Sequence, residues 1–379
     1  MKSKILFFLF ISIFCFSSFA QKENKNVNWI TKKLFGTLDN GMKVYLYTLH
    51  NQIGAELKVT NFGATVVSLT MPDRNGNYKD IVLGYDSLKS YENGTSYFGA
   101  IVGRYANRIS KGKIKIDDKT YQLSVNEGEN QLHGGKVGFN KMLWTAKTFN
   151  SKIGPSIKLT LVSPDGDQGY PGKVILNVTY TLTNNNELKI NYEGSTNKTT
   201  ILNPSHHSYF NLTGDFTKTI LEHQIKIDAN EFTPINKEFI PTGKLENVVN
   251  TPLDFRNPTA IGAHINDNFE QLKFAHGYDF NWVLNNYNKK IREVADVYEP
   301  TTGRYMQVFT DQPGLQFYSG NFLNGSEIGK NGIHYNFRTG FCLEAQHYPD
   351  SPNEPQWPSV ILKPGQIYRQ ITIYKFSTK

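Results

Sequence analysis

Two histidines stand side by side in "NPSHHSYFNL" (residues 203–212), in a chain that holds nine in all. Histidine changes charge near neutral pH, so it can give or take a proton under ordinary conditions. In an extended segment neighbouring side chains point to opposite faces, so one of His206 and His207 faces a core or cleft while the other turns away. Other polar residues that could act beside them sit in five more segments. These are "GRYANRI" (103–109), "NQLHGG" (130–135), "HGYDFNWVL" (276–284), "QPGLQFYSGNFL" (312–323) and "FCLEAQHYPDSPN" (341–353). Taken singly, each has an ordinary reading: Arg108 as a surface ion-pair residue, His133 as a turn residue before two glycines, Asp279 as a cap. Glu344 is the exception, because "FCLEA" sets it in an apolar strand where an unpaired carboxylate is costly.

The elements that must position these residues read as strands. "KVILNVTYTL" alternates Val174, Leu176, Val178, Tyr180 and Leu182, turns through "TNNN", and continues in "ELKINYE" with Leu188, Ile190 and Tyr192. That pattern describes a hairpin with one wet face. Similar pieces recur: "AELKVTNFGATVVSLTM" before the turn "PDRNGN", "GKIKI" turning through "DDK" into "TYQL", and "SIKLTLV" before "SPDGDQGYPG". At the end, "SVIL" turning through "KPG" into "QIYRQITIYKF" predicts a closing hairpin. No long stretch has helical periodicity, and no repeat or Pro/Ser linker divides the chain. The expected fold is all-β: one large antiparallel β-sandwich over residues 34–379, single-domain, with long loops.

The first twenty residues, "MKSKILFFLFISIFCFSSFA", carry two lysines, a short apolar core and a Ser-Phe-Ala site. They read as a signal peptide cut after Ala20, followed by a polar lead-in over 21–33. The expected location is outside the cytoplasm, periplasmic or secreted, with no membrane insertion after cleavage. Removal of Cys15 leaves Cys342 as the only cysteine, which excludes an intrachain disulfide. The formal charge of +8 falls to +6 without Lys2 and Lys4. Bases and acids are interspersed, so nucleic acid is not an expected partner.

In their order along the chain, "GRYANRI", "LHGG", "SPDGDQGYPG", "HSYFNL", "GYD", "QPGLQFYSGNFL" and the glutamate before "YPD" closely resemble the aldose 1-epimerase (galactose mutarotase) family. The resemblance runs from the strand at Leu57 to the end of the chain near Phe376. It implies a galactose-mutarotase-like β-supersandwich with a sugar cleft, a free aldose as the small-molecule partner, and no metal or organic cofactor. By position, Glu344 matches the family's general base, His207 its general acid and His133 its second active-site histidine. Asn107, Arg108, Asp279 and Gln316 match sugar-binding positions. His206 sits where the family often has another polar residue such as Asn, and is assigned no role. The exported N-terminus is a further departure, since many members are intracellular.

The implied activity interconverts the α and β anomers of aldohexoses such as galactose or glucose, which needs a base at the C1 hydroxyl and an acid at the ring oxygen. From reference values, Glu344 is expected to be ionised, and a nearby carboxylate to keep His207 protonated. Trp144, Tyr209 and Phe317 are candidates for stacking on a sugar face. The alternatives are a glycoside hydrolase of related fold, which needs two carboxylates flanking the scissile bond, and a non-catalytic sugar-binding module. A zinc site from His133, His207 and Glu344 lacks tight ligand spacing in the sequence. A hexose-phosphate epimerase would want several cleft arginines.

Overall fold

A computed structural model describes residues 29–379, so the expected signal peptide and its cleavage site lie outside the described residues. The strand signals resolve into three main antiparallel sheets, one of nine strands and two of five. The clearest alternating segment behaves as its pattern requires: in Val174–Leu182 and Glu187–Thr196 the residues Val174, Leu176, Val178, Tyr180, Leu188, Ile190 and Tyr192 are all buried. The two strands pair in register, with Val178 opposite Tyr192. Among the described residues the α-helical elements are two six-residue segments, Leu88–Asn93 and Glu270–Ala275. No helix there is long and apolar enough to cross a membrane.

One continuous core joins all three sheets. Leu49, Leu57 and Leu69 come from the N-terminal sheet, Leu159, Ile190 and Tyr374 from the nine-stranded sheet, and Phe280, Trp282, Phe317 and Leu343 from the third. Each such side chain contributes about 1.5–3 kcal/mol through burial, so the sheets hold one another and the loops at their ends inherit a fixed frame.

Two expectations are corrected here. Residues 30–33, expected within the polar lead-in over 21–33, are strand, and 21–28 lie outside the described residues. The first strand, Ile30–Thr37, pairs with Lys43–His50. Its polar side chains suit an edge strand with a largely exposed face. The closing hairpin does not form either. Ile361–Leu362 pairs with Thr200–Ile201, while Tyr368–Thr378 runs between Glu187–Thr196 and Arg304–Thr310 inside the nine-stranded sheet. An eleven-residue alternating strand can be paired on both edges, and a two-residue strand offers too few ladder bonds to compete for it.

Candidate active site

The third sheet supplies one wall of the site. Its strands Asp279–Leu284, Gly314–Tyr318 and Cys342–Gln346 pair antiparallel, with Asn281 opposite Gln316 and Gln316 opposite Glu344. Asp279 lies opposite Tyr318, and Tyr318 opposite Cys342. The two-residue period sends Phe280, Trp282, Leu315, Phe317 and Leu343 into the core and leaves Asp279, Asn281, Gln316, Tyr318, Cys342 and Glu344 on the other face. The "GYD" motif starts this strand: a Cβ at Gly277 would lie 2.4 Å from Asn321 Oδ1, and its φ of +139° disfavours any other residue.

The opposite wall comes from loops. Asn107 and His133 clamp each other through two bonds: the Asn107 N–H donates to His133 Nδ1 at 3.1 Å, and the His133 N–H donates to the Asn107 carbonyl at 3.1 Å. Because an N–H can only donate, His133 Nδ1 must be the acceptor, and the proton of the neutral ring sits on Nε2. "LHGG" needs its first glycine because a Cβ at Gly134 would fall 1.8 Å from the Gly103 carbonyl oxygen. Arg104 of "GRYANRI" anchors this loop from behind, donating to the carbonyls of Pro171 and Gly172 at 3.0 and 2.9 Å and to Ser163 Oγ at 2.5 Å. The "SPDGDQGYPG" segment is therefore scaffold for the site and does not enter it.

The adjacent histidines do face opposite ways. His206 turns into the interior, with Nε2 2.7 Å from Ser208 Oγ and Nδ1 3.3 Å from Tyr180 Oη. His207 lines the cleft, with Nε2 3.5 Å from Glu344 Oε1 and Nδ1 3.6 Å from Cys342 Sγ. His133 packs edge-on against it, ring centroids 5.1 Å apart. Nitrogen and oxygen atoms of His133, His207 and Glu344 come within 4.8 Å of one another. Together with Asn107, Arg108, Asp279, Tyr97, Tyr209, Glu127 and Phe322 they enclose a cleft of about 210 Å³. That is below the roughly 300–1,000 Å³ of pockets for drug-sized ligands and suits one small polar molecule.

Arg108 is buried and held in a fork: Nε and Nη2 donate to the two Glu127 carboxylate oxygens at 2.6 and 2.7 Å. Its Nη1 is 3.8 Å from Asp279 Oδ2, and its guanidinium lies 4.7 Å from the Phe239 ring centre. The Asn107 side-chain oxygen accepts from the Arg108 N–H at 2.9 Å, which fixes the amide and leaves its NH2 to donate to a ligand. Gln316 rises from the same face, between Asn281 and Glu344. It is not among the residues lining the cleft, donates to Asp279 Oδ1 at 2.7 Å, and has no hydrogen-bond partner at Oε1.

The titrations are shifted against the charge states expected. Burial pushes the Glu344 carboxyl well above its ordinary value, and the Asp279 charge adds to the rise against the pull of Arg108. Burial brings His207 down to about 4. His133 is held well below its usual value by burial, then by His207 and Arg108. The Glu344 and His207 shifts both run against the ionised Glu344 and standing imidazolium expected, because burial desolvates both charged forms.

Of the stacking candidates, Tyr209 lines the cleft, whereas Trp144 and Phe317 are core residues. Their indole and ring are consumed by packing, with Trp144 Nε1 donating to the Phe139 carbonyl at 3.1 Å. Sequence reasoning missed Tyr97, Glu127, Tyr318 and Phe322. Tyr97 packs on both site histidines at 4.7 and 5.7 Å with a φ of +58°. Nothing in "NGTSYFG" marks it. Glu127 had one legible signal, its place six residues before His133 in a glycine-bounded loop.

The family model for aldose 1-epimerase matches residues 45–375. The chain is 41% identical to bovine galactose mutarotase, covering 92% of this chain and 98% of that one. It is 35% identical to Escherichia coli aldose 1-epimerase, with 89% and 96% covered. Among solved structures, galactose 1-epimerase from Lactobacillus acidophilus superposes with a TM-score of 0.81 at 28% identity, covering 92% of this chain and 98% of that one. An aldose epimerase homologue from C. elegans gives 0.80 at 30% identity, with 87% and 98% covered.

Proposed function

The chain belongs to the aldose 1-epimerase family, and from that premise we propose how it interconverts the α and β anomers of aldoses: Glu344 takes the C1 hydroxyl proton while His207 protonates the ring oxygen. The carrying observation is the 3.5 Å contact between His207 Nε2 and Glu344 Oε1 at the base of the cleft. In the working arrangement Glu344 is ionised and His207 carries the proton, the form that bound substrate must draw on against the cost of burial. The C1 hydroxyl gives its proton to Glu344, the bond from C1 to the ring oxygen breaks, and the ring oxygen takes the proton from His207 Nε2. The product is the open aldehyde. Half a turn about C1–C2 presents the other carbonyl face, and the same transfers run backwards to close the ring. No proton is gained or lost over the cycle, so the pair is ready for the next substrate.

His133, with its proton fixed on Nε2, is a donor only, suited to steadying negative charge on the C1 oxygen. Arg108, Asp279 and the Asn107 amide supply fixed donors and acceptors for sugar hydroxyls. Asp279 and Glu344 rise from the same face of one sheet with a strand between them, so they form one wall and do not flank a bond as a hydrolase pair must. Polarimetry of freshly dissolved α-D-galactose, α-D-glucose and α-D-xylose tests the reading. Accelerated relaxation for at least one sugar is expected. No acceleration for any, or release of reducing sugar from a glycoside instead, overturns it.

Export is part of the same proposal, supported by the basic, apolar and small-residue order of residues 1–20. Sequencing the N-terminus of protein recovered from the native cell should give Gln21 first. Retained Met1 contradicts it.

A further inference from the structure

We infer that Cys342 is a positioning residue for His207, restraining the ring at Nδ1 while Nε2 carries the proton that moves. Cys342 and Glu344 stand two residues apart on one strand, on the same face, and between them they contact both nitrogens of a single imidazole. Glu344 Oε1 is at Nε2 and Cys342 Sγ is at Nδ1, 3.5 and 3.6 Å away. Cys342 is a free, fully buried thiol, and burial followed by the Glu344 and Asp279 charges raises it far from ionisation. It is therefore a neutral S–H group, neither nucleophile nor thiolate.

The choice of a thiol follows from what His207 has to do. His133 is locked, because a backbone N–H occupies its Nδ1. His207 has to carry a proton on Nε2 at one stage and release it at the next. Nδ1 keeps its hydrogen at both stages, and a carboxylate there would hold the imidazolium too firmly to release Nε2–H. The thiol sulfur is a weak acceptor, so it restrains the ring plane through Nδ1–H without holding the charged form. The neighbouring Tyr97 and Tyr209 rings, 5.7 and 5.1 Å from that of His207, limit its tilt but touch neither nitrogen's proton.

This inference rests on His207 acting in the reaction, and its test separates the two claims. Cys342→Ser keeps a group that donates and accepts; Cys342→Val fills the buried space with none. We expect Cys342→Ser to keep kcat on α-D-galactose within about three-fold and Cys342→Val to lose roughly three- to ten-fold in kcat, with KM unchanged in both. Thermal stability should run the other way, with Val at least as stable as Ser, so the order of activity opposes the order of stability. In ¹⁵N-histidine spectra the His207 ring signals should move in Cys342→Val and not in Cys342→Ser, while those of His133 stay put. If Cys342→Val folds poorly, Cys342→Ala is read by the same criteria. A Val or Ala variant with wild-type kcat and unmoved His207 signals overturns the inference. If His207→Asn is inactive in that case, the acid assignment survives alone; if His207→Asn is fully active, the acid assignment itself fails.

Discussion

His207 Nε2 stands 3.5 Å from Glu344 Oε1 with both side chains almost wholly buried, and burial pushes the two titrations in opposite directions. On the proposed mechanism the pair works only while it holds one proton. Adding a second, below the low value of about 4 for His207, removes the base. Losing the shared proton, above the raised Glu344 value, removes the acid, and these limbs belong to the pair as a whole.

A pH profile of kcat/KM should therefore be bell-shaped, with its alkaline limb set by loss of the shared proton. Asp279 is the nearby negative charge that, after burial, raises Glu344. Asp279→Asn removes that charge, makes the shared proton easier to lose, and should move the alkaline limb to lower pH. An alkaline limb that stays in place or moves upward contradicts this charge assignment.

Glu127 should act through Arg108. Its two oxygens hold Nε and Nη2 of the guanidinium, although the carboxylate is about a third exposed, so solvent screening reduces what the pair contributes. Glu127→Gln is expected to raise KM about three- to ten-fold with kcat nearly unchanged, and Arg108→Ala to raise it further. Wild-type KM in Arg108→Ala for every aldose tried removes Arg108 from the binding set.

Chelation should leave the rate intact. The cluster of His133, His207 and Glu344 has the donor types of a metal site, but a histidine ligand ordinarily donates its other ring N–H to an acceptor. His133 has the reverse, a backbone donor at Nδ1, which keeps the proton on the nitrogen that faces the cleft. Dialysis against EDTA with polarimetry before and after checks this. Loss of activity restored by zinc contradicts it.

The alternating strands were legible because a two-residue period with branched and aromatic residues has few other readings, as Val174–Leu182 illustrates. Strand partners were not, since "SVIL" and "QIYRQITIYKF" look like a hairpin locally and only the full set of competing edges assigns them to different sheets. At the site, the polar segments could be found by their residue types, and the opposed faces of His206 and His207 follow from backbone geometry. That Gln316 donates to Asp279 depends on side-chain direction, which the period leaves open. The direction of the two titrations was not legible for a similar reason: the cost of burying Glu344 and His207 depends on what covers them, and that cover comes from loops distant in sequence.

The most direct test of the central claim is the rate of anomer interconversion by Glu344→Gln, measured by polarimetry on α-D-galactose with folding confirmed by circular dichroism. Gln keeps the shape and one acceptor oxygen but cannot take the C1 proton, so a fall in kcat of about 10²–10⁴-fold is expected. His207→Asn should fall comparably, and the double variant little further, because each group is nearly idle without the other. A folded Glu344→Gln protein that interconverts anomers at the wild-type rate contradicts the account.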